Sequence, residues 1–245
     1  MGAARHGGFI PWDDDIDVSM PREEHEKFIN ISYHELKFPY EIKNIHNDEN
    51  YLHPFLRIVD VRVQTTVTTA NKESYALVYI DIFTTDGLPD YRISRYFHVY
   101  FFLFKKMLFH LSVFNERVNQ EKKRPLYERL IIKFCNRFDI SRLFNKKKRI
   151  LAADKLLRKY SFYKKKHCSP QLWGQYKTKA LFPTEWFSDG VLLPFEDIQI
   201  VVPTEYKNYL SKLYGADYME LPPEEKRTTH ATELIFINGE LNEKI

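Results

Sequence analysis

The sequence predicts an α/β (α+β) protein, built on a mixed sheet with helices and an added helical lobe. Segments rich in β-branched and aromatic residues fill the first third of the chain and return near residue 190. Between them, residues 92–166 carry apolar side chains three and four apart, the spacing of amphipathic helices. A length of 245 residues can bury a substantial core without requiring a second domain. The expected organisation is a sheet-based core over 1–90, a helical lobe over 91–180, and a strand-helix segment over 181–245 that closes onto the core as one compact unit.

Taken in order, "IDVSM" (Ile16 to Met20) reads as a short strand. Pro21 and "REEHEKF" read as a helix start, with proline in the first turn and Glu23 and Glu24 near the positive end of the helix dipole. "YEIKNIH", "FLRIVDVRVQTTV" and "YALVYIDIF", spanning 40–46, 55–67 and 75–83, alternate partly and read as half-buried strands. "LYERLIIKFCNRF" and "KRILAADKLLRKY" are helical, and no strand signal interrupts 92–166. "GVLLPFEDIQIVVP" returns to β character, and a helix follows through "TEYKNYLSKLYG", with Thr204 as its cap and Gly215 as its stop. "MELPPEEKRTTH" reads as a loop or short turn, and the chain shows no internal repeat.

A net charge of +4 is too small to indicate nucleic-acid binding, and the basic clusters at 145–149 and 163–167 read as solvated helix ends. Aromatic residues are abundant at 16%, so part of that excess can serve a binding surface. Two cysteines, Cys135 and Cys168, have neither zinc-site spacing nor disulfide density, which fits a reducing, cytoplasmic setting. The most apolar stretch, residues 96–114, is interrupted by Lys105 and Lys106 and is not expected to span a bilayer. A core helix is the expected reading there, and a helix lying on the inner membrane face is its alternative.

The stretch "RHGGFIPWDDDIDVSMPREEHEKF" places four aspartates in five positions, 13–17. In an extended strand Asp15 and Asp17 project to one face, Asp13 can join them, and Ile16 and Val18 turn toward the core. Like charges at that spacing repel unless a cation lies between them or one is protonated. Oxygen ligands of this kind suit Mg²⁺ or Mn²⁺. A calcium loop of the EF-hand type is excluded, because its sixth position needs glycine and holds Val18. In "YIDIFTTDGLPD", Asp81 turns away from Ile80 and Ile82 and completes a three-carboxylate site if the two strands are neighbours. The alternatives are an acidic surface turn and an Asp81 paired with Arg57; Asp86 is assigned to a turn with Gly87. Three carboxylates with divalent metal suit phosphoryl or nucleotidyl transfer, with Arg5 and His6 clamping phosphate.

The run "GAARHGGFIPWDDDIDVSMPREEHEKF" resembles the signature of the LicD family of phosphocholine transferases, related to the fukutin group and to the nucleotidyltransferase fold. "YIDIFTTDGLP" is similar to the family's second acidic segment, and "VVPTEYKNYLSKLYGADYMELPPEEKRTTH" to its C-terminal segment. The resemblance implies transfer of phosphocholine from CDP-choline, or of another phospho-alcohol such as phosphoethanolamine or a polyol phosphate, to a sugar of a cell-surface or lipid-linked glycan. By motif position Asp15 and Asp17 are then the metal-binding pair. Asp81 is the third carboxylate, assisting the metal or accepting the acceptor's proton. Choline's ammonium calls for aromatic faces, with Trp12 beside the acidic run the first choice over Trp173 and Trp186. Lys226, Arg227 and His230 reach the substrate if the tail folds over the site. Family members also carry a helix and a glycine-plus-hydroxyl turn ahead of the Arg-His pair, whereas this sequence opens Met1-Gly2-Ala3-Ala4-Arg5. That departure implies a chain without the backbone cradle for the donor's phosphates, hence a truncated binding module as the alternative to an enzyme.

Overall fold

The computed structural model describes residues 1–13, 15–69, 72–117, 125–227, 233–236 and 242–244. The elements run α1 (Gly2–Arg5), β1 (Asp17–Pro21), α2 (Arg22–Glu35), β2 (Tyr40–Lys43), β3 (Leu56–Thr69), β4 (Lys72–Leu88), α3 (Arg92–Ser112), α4 (Phe114–Arg117), α5 (Leu126–Arg137) and α6 (Lys146–Leu157). They continue with β5 (His167–Ser169), β6 (Phe182–Pro183), β7 (Val191–Phe195), β8 (Ile198–Val202), α7 (Tyr206–Tyr214), β9 (Glu233–Phe236) and β10 (Asn242–Lys244). The result is the expected mixed α/β architecture.

β4 is the spine of the main sheet, pairing antiparallel with β3 and β5 and parallel with β1, while β9 and β10 extend the β3 side. β7 and β8 form a separate hairpin. The spine is longer than the sequence pattern indicates, and β9 falls on "ELIF", an apolar stretch the sequence reading left unassigned. Alternation in β3 and β4 sends Leu56 and Ile82 to one face, where with Ile42 of β2 they pack under Phe28 and Ile29 of α2. Val18, expected in that core, is 41% exposed, because β1 pairs only with β4 among the described residues and its outer edge is open.

Pro21 is the N-cap of α2, one place before the expected first turn, and Glu23 and Glu24 stand in that turn as predicted. Gly215 ends α7 at φ 110°, a conformation that a side chain would strain. Glu205, not Thr204, is the residue ahead of that helix. Between α3 and β5 the described chain is helical, as the pattern indicated, and α6 is capped by Asn145, whose side-chain oxygen accepts from the Lys148 amide at 2.8 Å. Phe102, Val99, Ala153 and Leu157 join α3 to α6 in a core that also holds Leu88 of the spine.

A buried ion cluster ties these parts together. Arg22, the first residue of α2, donates to both oxygens of Asp86 (2.7 and 2.9 Å) and to Asp154 on α6 (3.0 Å), and Asp154 also accepts from Arg158 at 2.5 Å. Desolvation opposes the Arg22 charge, but the two carboxylates outweigh it and raise its pKa. Asp86 is therefore no turn residue: it is buried inside β4, opposite Ser169 of β5. Gly87 beside it serves close approach, since a Cβ there would lie 2.3 Å from the Ser161 carbonyl oxygen.

Candidate active site at the acidic strand

The parallel register of β1 on β4 sets Asp17 directly beside Asp81, and the antiparallel register of β3 sets Arg57 on the other side of Asp81. Paired residues share a face of a sheet. Asp17, Asp81 and Arg57 thus form a row across three strands, on the face opposite the Leu56 and Ile82 core. The neighbouring strands that the sequence reading required are present. The Asp81 amide also donates to the Ile16 carbonyl at 3.0 Å, extending the pairing back toward Asp15.

Within the row, Arg57 donates to both oxygens of Asp81 (2.6 and 3.3 Å) and lies 3.6 Å from the Tyr79 ring centroid. The ion pair set against the metal role in the sequence reading therefore exists beside the strand pairing that role needed. Asp81 is buried, and desolvation raises its pKa while Arg57 pulls it back. Asp17 opens to solvent at the strand edge, yet desolvation, then Asp15, Asp81 and Asp13, push it up to about 7. These carboxylates sense one another strongly enough to favour a proton or a cation. Among the described residues, no three His, Cys, Asp or Glu side chains converge as a preformed metal cage. The donor chemistry, all carboxylate oxygen with unbalanced negative charge, nevertheless fits a hard divalent cation.

Arg5 and His6 lie at the end of α1. Arg5 donates to the carbonyls of Tyr218 and Glu220, both at 3.1 Å, so it clamps the C-terminal segment rather than standing open. His6 meets Trp12 edge-on at 5.6 Å, and the Arg227 guanidinium lies 4.9 Å from the centroid of that ring. The tail therefore folds back over the acidic end as the sequence reading required, with Arg227 as its contact. Lys226 sits in the short turn Glu224–Lys226, and His230 lies outside the described residues. Trp173 and Trp186 are partly buried and pack against the core, Trp173 between Phe102 and Phe109 and Trp186 against Phe182.

The sequence reading missed the second support of this end of the molecule. Glu196, at the β7–β8 turn, accepts from the Phe9 amide at 2.9 Å and donates its own amide to the Gly7 carbonyl at 2.8 Å, fixing the loop that leads into the aspartates. Burial, and then the neighbouring Tyr176, raise the pKa values of Tyr209 and Tyr214 of α7, with a smaller contribution from Asp17. The β character read over residues 190–203 was the signal for this hairpin, and its grip on the loop before the aspartates was not legible there.

Residues 1–113 match the family model LicD/FKTN/FKRP, nucleotidyltransferase domain. That span contains Asp13, Asp15, Asp17, Arg57 and Asp81 and ends with α3. The chain is also 29% identical over 240 residues to lipopolysaccharide cholinephosphotransferase LicD of Haemophilus influenzae, an alignment covering 97% of this chain and 85% of that protein. No solved structure matches the chain at a significant level. Residues 1–113, which build the acidic row and its strands, are therefore the part of the chain that is similar to the LicD/FKTN/FKRP nucleotidyltransferase domain.

Proposed function

We propose that this protein is a transferase that moves phosphocholine from CDP-choline to a sugar of a cell-surface glycan of the lipopolysaccharide type. The observation that carries the proposal is the row of Asp17, Asp81 and Arg57, set beside Asp15 inside the matched domain. The named activity of the Haemophilus relative supports the cargo and the acceptor class. In this reaction the acceptor hydroxyl oxygen forms a bond to the phosphorus of phosphocholine, the bond to the CMP phosphate breaks, and the hydroxyl proton leaves to a base or to solvent.

Asp15 and Asp17 are the residues to hold a Mg²⁺ or Mn²⁺ ion, with Asp81 adjoining them. When bound, the ion would neutralise phosphate charge and orient the donor. Asp81, with both oxygens engaged by Arg57, holds the row in place rather than taking the acceptor's proton. Burial and the neighbouring carboxylates push Asp17 up to about 7, and a cation bound there would relieve that repulsion and hold the carboxylate ionised. Trp12 already presents its ring face to a cation, Arg227, and the same quadrupole would attract choline's quaternary ammonium.

Release of CMP from CDP-choline, followed by anion-exchange chromatography with Mg²⁺ and a lipopolysaccharide acceptor, tests the proposal. Acceptor-dependent CMP release with matching phosphocholine in the acceptor is the expected result. A folded protein that releases no CMP with any such acceptor would contradict it.

A further inference from the structure

α3 was expected to be a core helix, and only one of its faces is. His98, Val99, Phe102 and Phe109 are buried, whereas Ile93, Phe97, Tyr100, Phe101, Phe104 and Met107 are 48–74% exposed. Those six recur at helical spacing on the side opposite the buried face, a stripe roughly 21 Å long at 1.5 Å per residue. Single exposed apolar residues need no explanation, but a continuous aromatic stripe of this size marks an interaction surface.

Charge identifies what the stripe meets. α3 has no aspartate or glutamate along its length, and cations border the stripe on both sides: Arg92, over the Tyr96 ring, and Lys105, 4.8 Å from the Phe101 centroid. α5 presents a second apolar edge with basic neighbours, although Glu128 stands in its first turn. Leu126, Leu130, Phe134 and Phe138 are exposed at intervals of four, beside exposed Arg129, Lys133 and Arg137. A second copy of this chain docked on the stripe would bring cation against cation. No helix among the described residues is long and apolar enough to cross a membrane. The apolar, aromatic face of α3, with its basic rim and no carboxylate, is instead the profile of a helix that lies in a bilayer interface, its rings among the acyl chains and its cations at anionic headgroups.

We propose that the outward face of α3, assisted by α5, docks this protein on an anionic lipid bilayer. The inference stands apart from the transfer reaction, because it rests on a surface that excludes the acidic row. Its test is flotation of the full chain with phosphatidylcholine vesicles, with and without phosphatidylglycerol, beside the variant Phe97→Ser/Phe104→Ser. Both substitutions are at exposed positions, so the fold should survive. Binding to the anionic vesicles that weakens with salt and falls about tenfold or more in the variant is the expected result. Equal flotation of variant and parent would overturn it, as would a folded parent that ignores anionic vesicles. Light scattering that finds a dimer dissolved by the same variant would overturn it in favour of self-association. A Phe97→Cys chain carrying an environment-sensitive fluorophore adds a readout that needs no double variant: its emission should shift to the blue with anionic vesicles, and no shift would refute the docking.

Discussion

Replacing Arg22 by methionine removes the centre of the buried ion cluster at similar side-chain length. In the parent, Arg22 makes two bonds to Asp86 and one to Asp154, and all three residues are buried. Without it, Asp154 keeps Arg158, whereas Asp86 keeps, among the described residues, only the Thr84 hydroxyl at 3.2 Å. Breaking such a pair from one side leaves an uncompensated buried charge, at a cost of about 3–5 kcal/mol. For a chain of this size that is a fall of roughly 6–20 °C in Tm. Urea denaturation followed by circular dichroism at neutral pH measures the difference. Adding Asp86→Leu to Arg22→Met removes the stranded carboxylate, and the double variant should recover a large part of the loss, a coupling on the order of 2 kcal/mol. A single-variant loss below about 1 kcal/mol, or a double variant worse than the sum, would refute the claim that this cluster holds the acidic strand's helix to the lobe.

Other outcomes follow from the same coordinates. Burial and the neighbouring Arg22 push His25 down to about 4, and burial with Lys159 does the same to His98. Unfolded histidines titrate near 6.5, so as pH falls from about 6.5 to about 4 the unfolded chain binds more protons and stability declines, by roughly 3 kcal/mol for each residue. The slope of stability against pH in that window should flatten in His25→Gln, and an unchanged slope would count against the burial argument. Gly87→Ala drives a methyl into the Ser161 carbonyl and should cost about 1–3 kcal/mol; an unaltered midpoint in urea would show that the backbone there yields. Trp12→Leu should weaken CDP-choline about tenfold while affecting a CDP-alcohol without the quaternary ammonium much less, and equal losses for both donors in competition binding would place the choline elsewhere.

The acidic row was legible because it depends on local periodicity: alternation in "DDDIDV" and "YIDIF" fixes which side chains share a face, and the structure supplies the pairing of β1 with β4. What alternation could not give was the partner set. Asp86 looked like a turn residue beside Gly87, and only the approach of Arg22 and Asp154, remote in sequence, makes it a buried ion. The same limit applies to Arg5, whose carbonyl partners lie more than two hundred residues away. α3 misled for the opposite reason. Its sequence is apolar nearly all round, and composition alone assigns such a helix to the interior, whereas the fold provides neighbours for only one face.

The central claim, that the acidic strand is where donor and metal meet, is tested most directly by calorimetric titration of CDP-choline into the protein. The titration is run with and without Mg²⁺, beside Asp15→Asn/Asp17→Asn. The account predicts binding that needs the metal and disappears in a variant that remains folded. Metal-dependent binding of equal strength in that variant would contradict it.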